Sequence, residues 1–275
     1  MRTSLGELGK PSQRSAIDGR SPDNVWALLR TLLQRLHAEL ISRWLVRGST
    51  DRFEVTRHSA TIVSPHPDDE TLGCGGLIAL KRSQDVPVQI VFLTDGTAAP
   101  APDAAMTYVE LAALRRREAV SAARILSVED SDVHFLEGPD GTLGMLSATD
   151  RAALIERLRG LLKTGRPGEV FVTHRRDCHP DHEAAYGLVR EAIEELGFAV
   201  ELFEYPIWMT WSAPVFFQLK LRQLAGARRL EIETVIARKL EAIDAYRSQC
   251  VTLPRGFLDR FQMPYEVFFH ATESN

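Results

Sequence analysis

Five short apolar runs, Ala60–Ser64, Val88–Thr94, Asp132–Leu136, Glu169–Thr173 and Val200–Tyr205, alternate with segments of helical periodicity. The helices are predicted at Gly76–Ser83, Tyr108–Leu126, Ala148–Lys163 and His182–Leu196. Strands that alternate with helices and carry continuous apolar runs are buried on both faces, which means a parallel sheet covered by helices on both sides. The expected fold class is therefore α/β, with an open, mostly parallel Rossmann-like sheet. Such sheets place their sites beyond the carboxyl ends of the strands. Two clusters of histidine and aspartate fall at that edge.

The first cluster, His66-Pro67-Asp68-Asp69-Glu70-Thr71, follows the run Thr61-Ile62-Val63. The second, His179-Pro180-Asp181-His182, follows Glu169–Thr173. Two histidines and one aspartate make a facial ligand set for a divalent metal with a position left for water. A further carboxylate and a further histidine remain for proton transfer. Pro65 and Pro67 hold Ser64 and His66 extended, because a residue before proline avoids the helical region. Asp68 and Asp69 are adjacent and so point in different directions. Gly73, Gly75 and Gly76 allow a tight turn and close backbone approach. His179 and His182 are three apart at a helix start and share a face. Asp181 between them can accept from a ring nitrogen and fix its tautomer, with Asp177 and His174 close by. His37, His58, His134 and His270 read as packed or solvated residues.

A zinc ion with three protein ligands lowers the pKa of a bound water toward about 7 and polarises a carbonyl, which is the chemistry of amide or ester hydrolysis. The chain has no Gly-x-Ser-x-Gly elbow and no HExxH. It also has no glycine-rich phosphate loop.

The net charge of −4 over 275 residues argues against a nucleic-acid binder. Three cysteines, an odd count without paired spacing, fit a reducing, cytoplasmic setting rather than a disulfide framework. Cys74 and Cys178 read as packing residues. No stretch is long and apolar enough to span a bilayer, and residues 1–20 lack the apolar core of a signal peptide. Residues 1–20 read as a disordered lead, 21–57 as an amphipathic helical extension and 58–275 as the main domain. The extension starts on Ser21-Pro22-Asp23, a good helix start. It carries Val25, Leu29, Leu32, Leu36, Leu40 and Trp44 with Arg30, Arg35, Arg43 and Arg47 interleaved. This stripe reads either as a packing face or as a peripheral contact of residues 25–47 with the inner membrane surface. The loop after Thr94 is long and rich in Ala and Pro, as functional loops often are. After Tyr205 the alternation stops, and a charged helix is expected at about 227–247. Trp208 and Trp211 either wall the site or cover the sheet.

At these residues the chain resembles the PIG-L/LmbE-like family of metal-dependent de-N-acetylases. The carriers of the resemblance are Pro65-His66-Pro67-Asp68-Asp69-Glu70 and His179-Pro180-Asp181-His182, with Val91–Gly96 and Arg115-x-x-Glu118-Ala119 between them. The resemblance implies His66, Asp69 and His182 as metal ligands and Asp68 as general base. It implies His179, oriented by Asp181, as the group that stabilises the oxyanion or protonates the leaving amine. Arg115 would bind or shape the sugar site; the alternative is a helix-surface arginine paired with Glu118. The implied cofactor is zinc, although His/His/Asp also accepts iron(II), manganese or cobalt. The implied partner is an N-acetylated sugar of the N-acetylglucosamine type, and the implied products are acetate and a free amine. Three alternatives stay open: an amidase acting on a larger acyl group, a two-metal phosphoesterase, and a non-catalytic binding domain. The sugar's carrier and the oligomeric state are not legible.

Overall fold

A computed structural model describes residues 32–34, 36, 51–212 and 226–271. Its centre is a seven-stranded sheet in the order β3-β2-β1-β4-β5-β7-β6. The strands are β1 Ala60–Ser64, β2 Val88–Thr94, β3 Val133–Gly138, β4 Glu169–Thr173, β5 Glu201–Tyr205, β6 Ala227–Glu231 and β7 Tyr265–His270. β1 to β5 pair in parallel, β7 runs antiparallel to β5, and β6 runs antiparallel to β7. The chain leaves β1 toward β2 and β3 on one side and resumes at β4 on the other. β1 and β4 are therefore neighbours at the point where the strand order reverses, which is where open α/β sheets leave a crevice.

Side chains of successive strand residues point to opposite faces, and both faces are covered. Ile62, Ile90, Phe92 and Phe171 meet Leu72 and Leu77 of α1 (Asp69–Ser83) and Ala119 and Ala122 of α2 (Tyr108–Ile125). Val63, Val91, Val170 and Val172 meet Leu158 of α3 (Ala148–Gly165) and Leu188 of α4 (Pro180–Glu194). Thr107 starts α2 with a capping box: its side chain accepts from Glu110 N, and Glu110 returns a bond to Thr107 N.

Three expectations are corrected. First, α1 begins at Asp69, not Gly76, so the glycines lie inside a helix rather than in a turn. Close packing requires them: a Cβ on Gly73 would stand 2.2 Å from the Tyr205 ring, and one on Gly76 2.5 Å from Ile232. Glu266 braces the same stretch, accepting from Gly76 N at 2.6 Å and Leu77 N at 2.9 Å while paired with Lys239 at 2.7 Å. Second, Ala227–Glu231 is a strand, not the start of a helix. It is registered from Ala227 against Phe269 to Glu231 against Tyr265, and a helix follows only at α6, Ile236–Ala245, after the short α5 Met209–Ser212. Third, the packed domain begins before residue 58. Phe53 is buried, with its ring 4.8 Å from that of Phe268, and its amide bonds Arg229 O at 2.9 Å.

Of the helical extension, Leu32, Leu33 and Leu36 lie in described helical positions and are about half exposed. Residues 1–20 and the rest of the 25–47 stripe lie outside the described residues. Among the described residues no helix is long and apolar enough to cross a membrane.

Candidate active site

β1 delivers Pro65 and His66 to the sheet edge, where Thr94 at the end of β2 bonds Pro65 O through its amide at 3.0 Å and its hydroxyl at 2.8 Å. Asp68 then turns the chain into α1 with φ 120°, a left-handed conformation that strains any residue other than glycine. Glu70 holds that turn. Its carboxylate accepts from Asp68 N at 3.1 Å and from the hydroxyls of Thr71 and Tyr246, each at 2.5 Å. On the other side, β4 leads to Asp177 and to His179, the N-cap of α4, whose Nδ1 accepts from Asp181 N at 3.3 Å.

These segments bring three atoms together. His66 Nδ1 lies 3.1 Å from Asp69 Oδ2, His182 Nε2 lies 3.2 Å from Asp69 Oδ2, and the two ring nitrogens are 3.2 Å apart. Ligands about 2.0–2.2 Å from a common ion stand roughly 3.0–3.5 Å from one another, so this triangle has the dimensions of a facial ligand set. The remaining ring nitrogens meet carboxylates. His182 Nδ1 donates to Asp177 at 2.7 Å. His66 Nε2 lies 3.1 Å from Asp140 and 3.3 Å from Asp181. That pattern assigns the protons to the outer nitrogens and leaves Nδ1 of His66 and Nε2 of His182 as the ligand atoms. The imidazole of His179 is also close enough to His66 and His182 to join such a group.

Asp177 is the most heavily bonded carboxylate at the site. Besides His182 it accepts from the amides of Ile207, Trp208 and Met209 at 2.8, 2.9 and 3.0 Å, so the turn after β5 is fastened to the imidazole. Asp140, within Gly138-Pro139-Asp140-Gly141, carries only the sequence signature of an ordinary turn residue.

Three expected roles change. The carboxylate of Asp181 does not orient His179: it faces His66 and accepts from Gly141 N at 2.6 Å and Leu143 N at 2.9 Å, while only its backbone amide touches His179. His174 is buried against Phe269 and accepts from Arg176 N, away from the triangle. Arg115 is not a helix-surface residue paired with Glu118. It is fully buried and donates to Ala99 O at 3.2 Å and Pro100 O at 3.4 Å, and Glu118 binds Ser248 instead. Arg115 therefore holds the loop after β2 from beneath and does not line the cavity. The two tryptophans divide: Trp208 stacks beside His179 at the cavity wall, and Trp211 is buried in the core.

The charges are coupled by burial. Burial raises Asp68 well above the usual carboxylate range, and the charge of Asp69 adds to it. Burial would raise Asp69 too, but His182 and His66 beside it hold it far below that range. Burial opposes a charge on His182, yet Asp69 and Asp177 raise it to about 9. His179 is lowered to about 4 by burial and then by its two imidazole neighbours. Burial pushes Glu70 to about 7. A dication in the triangle would release the imidazole protons and hold Asp68 and Asp69 ionised. The cavity above these groups measures about 300 Å³, the lower end of the range for small-molecule sites.

Comparison with known proteins agrees with this architecture. Residues 61–193 match the family described as PIG-L, GlcNAc-PI de-N-acetylase. The chain is 31% identical over 134 residues to a probable N-acetyl-alpha-D-glucosaminyl L-malate deacetylase 2 of Bacillus subtilis, covering 48% of this chain and 59% of the relative. It is 30% identical over 138 residues to diacetylchitobiose deacetylase of Thermococcus kodakarensis, covering 49% of each. The matched stretches thus span only half to three-fifths of these relatives. Among solved structures, the conserved protein TT1542 from Thermus thermophilus superposes with a TM-score of 0.60 at 28% identity, covering 79% of this chain and 96% of that one. The family match over residues 61–193, the shared fold and the two motifs meeting between β1 and β4 make this chain similar to the PIG-L/LmbE-like family.

Proposed function

We propose that this chain is a metal-dependent hydrolase that removes the acetyl group from an N-acetylated sugar. The triangle of His66 Nδ1, Asp69 Oδ2 and His182 Nε2, backed by a carboxylate on each outer nitrogen, carries the reading. Two nitrogens and one carboxylate oxygen suit zinc, and iron(II), manganese or cobalt fit the same donors. A metal held there supplies Lewis-acid polarisation of the amide carbonyl and lowers the pKa of a water.

Asp68 is free of side-chain capping duty and lines the cavity beside Asp69. It takes a proton from the attacking water as the oxygen bonds to the acyl carbon. His179 has its Nδ1 occupied by the Asp181 amide, so its neutral ring carries the hydrogen on Nε2. That N–H donates to the carbonyl oxygen as negative charge gathers on it. The C–N bond then breaks, the proton held by Asp68 passes to the departing nitrogen, and acetate and a free amine result. Arg115, by fixing Ala99 and Pro100, shapes the sugar side of the cavity. The named activities of the two deacetylase relatives support an N-acetylated sugar as substrate.

The test is acetate and amine release from free, nucleotide-linked, lipid-linked and inositol-linked N-acetylglucosamine, with zinc and after chelation, beside longer N-acyl homologues. Equimolar acetate and amine, abolished by the chelator, are expected. Asp68→Asn should lower turnover about 10²- to 10⁴-fold with metal content unchanged. Turnover that survives chelation or this substitution would refute the mechanism. Preference for longer acyl groups would favour the amidase.

A further inference from the structure

We infer that Gln249 hydrogen-bonds a hydroxyl of the substrate's sugar ring, and that Glu118 is the positioning residue that holds it there. The inference rests on the de-N-acetylase reading. Buried polar atoms without a partner are rare and costly, and each asks for an explanation. Gln249 is 5% exposed, and its Nε2 is buried with no hydrogen-bond partner. Such atoms also occur on Arg115, Arg159, Glu169, Thr210 and Arg260, but among these described residues only Gln249 lines the active-site cavity. A carboxamide offers a donor at one end and an acceptor at the other, which matches a hydroxyl that both donates and accepts.

The backbone around Gln249 is fixed from three directions. Gln249 N donates to Tyr246 O at 3.1 Å, and Gln249 O accepts from the amide and hydroxyl of Thr252 at 2.9 and 2.8 Å. Tyr246 reaches Glu70, the carboxylate that holds the Asp68 turn. Ser248 gives both its amide and its hydroxyl to Glu118, at 2.8 and 2.6 Å. Glu118 and Arg115 lie three residues apart on α2 and hold two segments that reach the cavity, one through Ser248 beside Gln249 and the other through Ala99 and Pro100. Trp208, Leu253 and Phe257 line the cavity with apolar surface. A sugar ring, apolar on its faces and polar at its rim, fits a cavity with apolar surface and one amide edge.

Metal-loaded full-length protein and the variants Q249L, E118Q and Q249L/E118Q test this. The readouts are KM and kcat for acetate release, and the calorimetric Kd for N-acetylglucosamine and its 3-, 4- and 6-deoxy analogues. Loss of one neutral hydrogen bond predicts a KM and Kd for Q249L roughly three- to tenfold higher, with kcat within about threefold of wild type. Wild type should bind one of the deoxy analogues as weakly as Q249L binds the parent sugar. E118Q should raise KM less, and the double variant should be no worse than Q249L. Should E118Q fail to fold, S248A, which removes one of the two bonds to Glu118, takes its place. KM and Kd of Q249L within twofold of wild type, with acetate still released, would overturn the role of Gln249 and leave the de-N-acetylase reading intact. Equal binding of all four sugars by wild type, or no binding of any, would overturn it as well. Wild type that binds sugar but releases no acetate would overturn the reading and leave the Kd comparison to decide on Gln249.

Discussion

Asp177→Asn is the sharpest perturbation of the proposed metal site, because it changes one atom and leaves the shape intact. The carboxylate accepts four bonds: Ile207 N and Met209 N on Oδ1, His182 Nδ1 and Trp208 N on Oδ2. An asparagine keeps one acceptor, so either orientation of the amide leaves two of these four donors facing an NH2. If the NH2 faces His182, it donates to Nδ1 and drives the ring proton onto Nε2, the nitrogen that faces Asp69 and His66. The metal must then displace that proton. Loss of such a supporting carboxylate typically lowers metal affinity about 10- to 100-fold, roughly 1.4–2.7 kcal/mol. Each orphaned buried donor, Trp208 N in that orientation or Ile207 N and Met209 N in the other, costs about 1–3 kcal/mol in the metal-free protein. Zinc competition against a chromophoric chelator, at pH 7.5, gives the first quantity, and urea unfolding of the chelated protein gives the second. A zinc Kd within twofold of wild type, with the variant folded, would refute the assignment of His182 Nε2 as a ligand held by Asp177.

Two further outcomes follow from packing and burial. Gly73→Ala places a methyl group 2.2 Å from the buried Tyr205 ring, whose hydroxyl is tied to Val63 O at 2.9 Å. Overpacking of this kind costs about 1–3 kcal/mol and should outweigh the helix propensity gained, so a urea midpoint equal to or above wild type would contradict the fit described here. His174 has its pKa lowered by burial, with Glu204 and Asp177 only partly opposing. The unfolded chain therefore binds a proton that the folded chain refuses: stability is fully present above about pH 6.5 and declines as pH falls below it. Between pH 7.5 and 5.5 metal-free wild type should lose up to about 1 kcal/mol more than His174→Gln, and parallel pH profiles for the two would refute the claim.

Much of the site was legible because its signals are local. His66 and Asp69 are three residues apart, His179 and His182 likewise, and each pair follows an apolar strand. Residue type and strand-end position mark them as candidates, and the family resemblance implies their roles. The parallel pattern of the strands puts both clusters at one edge of the sheet, but they meet only because β1 and β4 are neighbours, which the pattern does not specify. The sheet's parallel half was legible from the same pattern. Its antiparallel edge was not: Ala-Arg-Arg-Leu-Glu at 227–231 carries two buried positions that suit a helix or a strand, and only pairing with β7 decides between them.

The sequence alone thus determined the α/β class and pointed to the sheet edge, the histidines and the paired aspartates of the proposed site. Tertiary structure alone decided which partner each of these groups has. Asp181 serves His66 across 115 residues instead of its neighbour His179. Asp177 fastens His182 to the turn at Ile207–Met209. Asp140 arrives from the end of β3, and Glu118 reaches Ser248 rather than Arg115. A hydrogen bond is set by a few tenths of an ångström between segments distant in sequence, whereas hydrophobic periodicity and motif spacing are properties of a single segment.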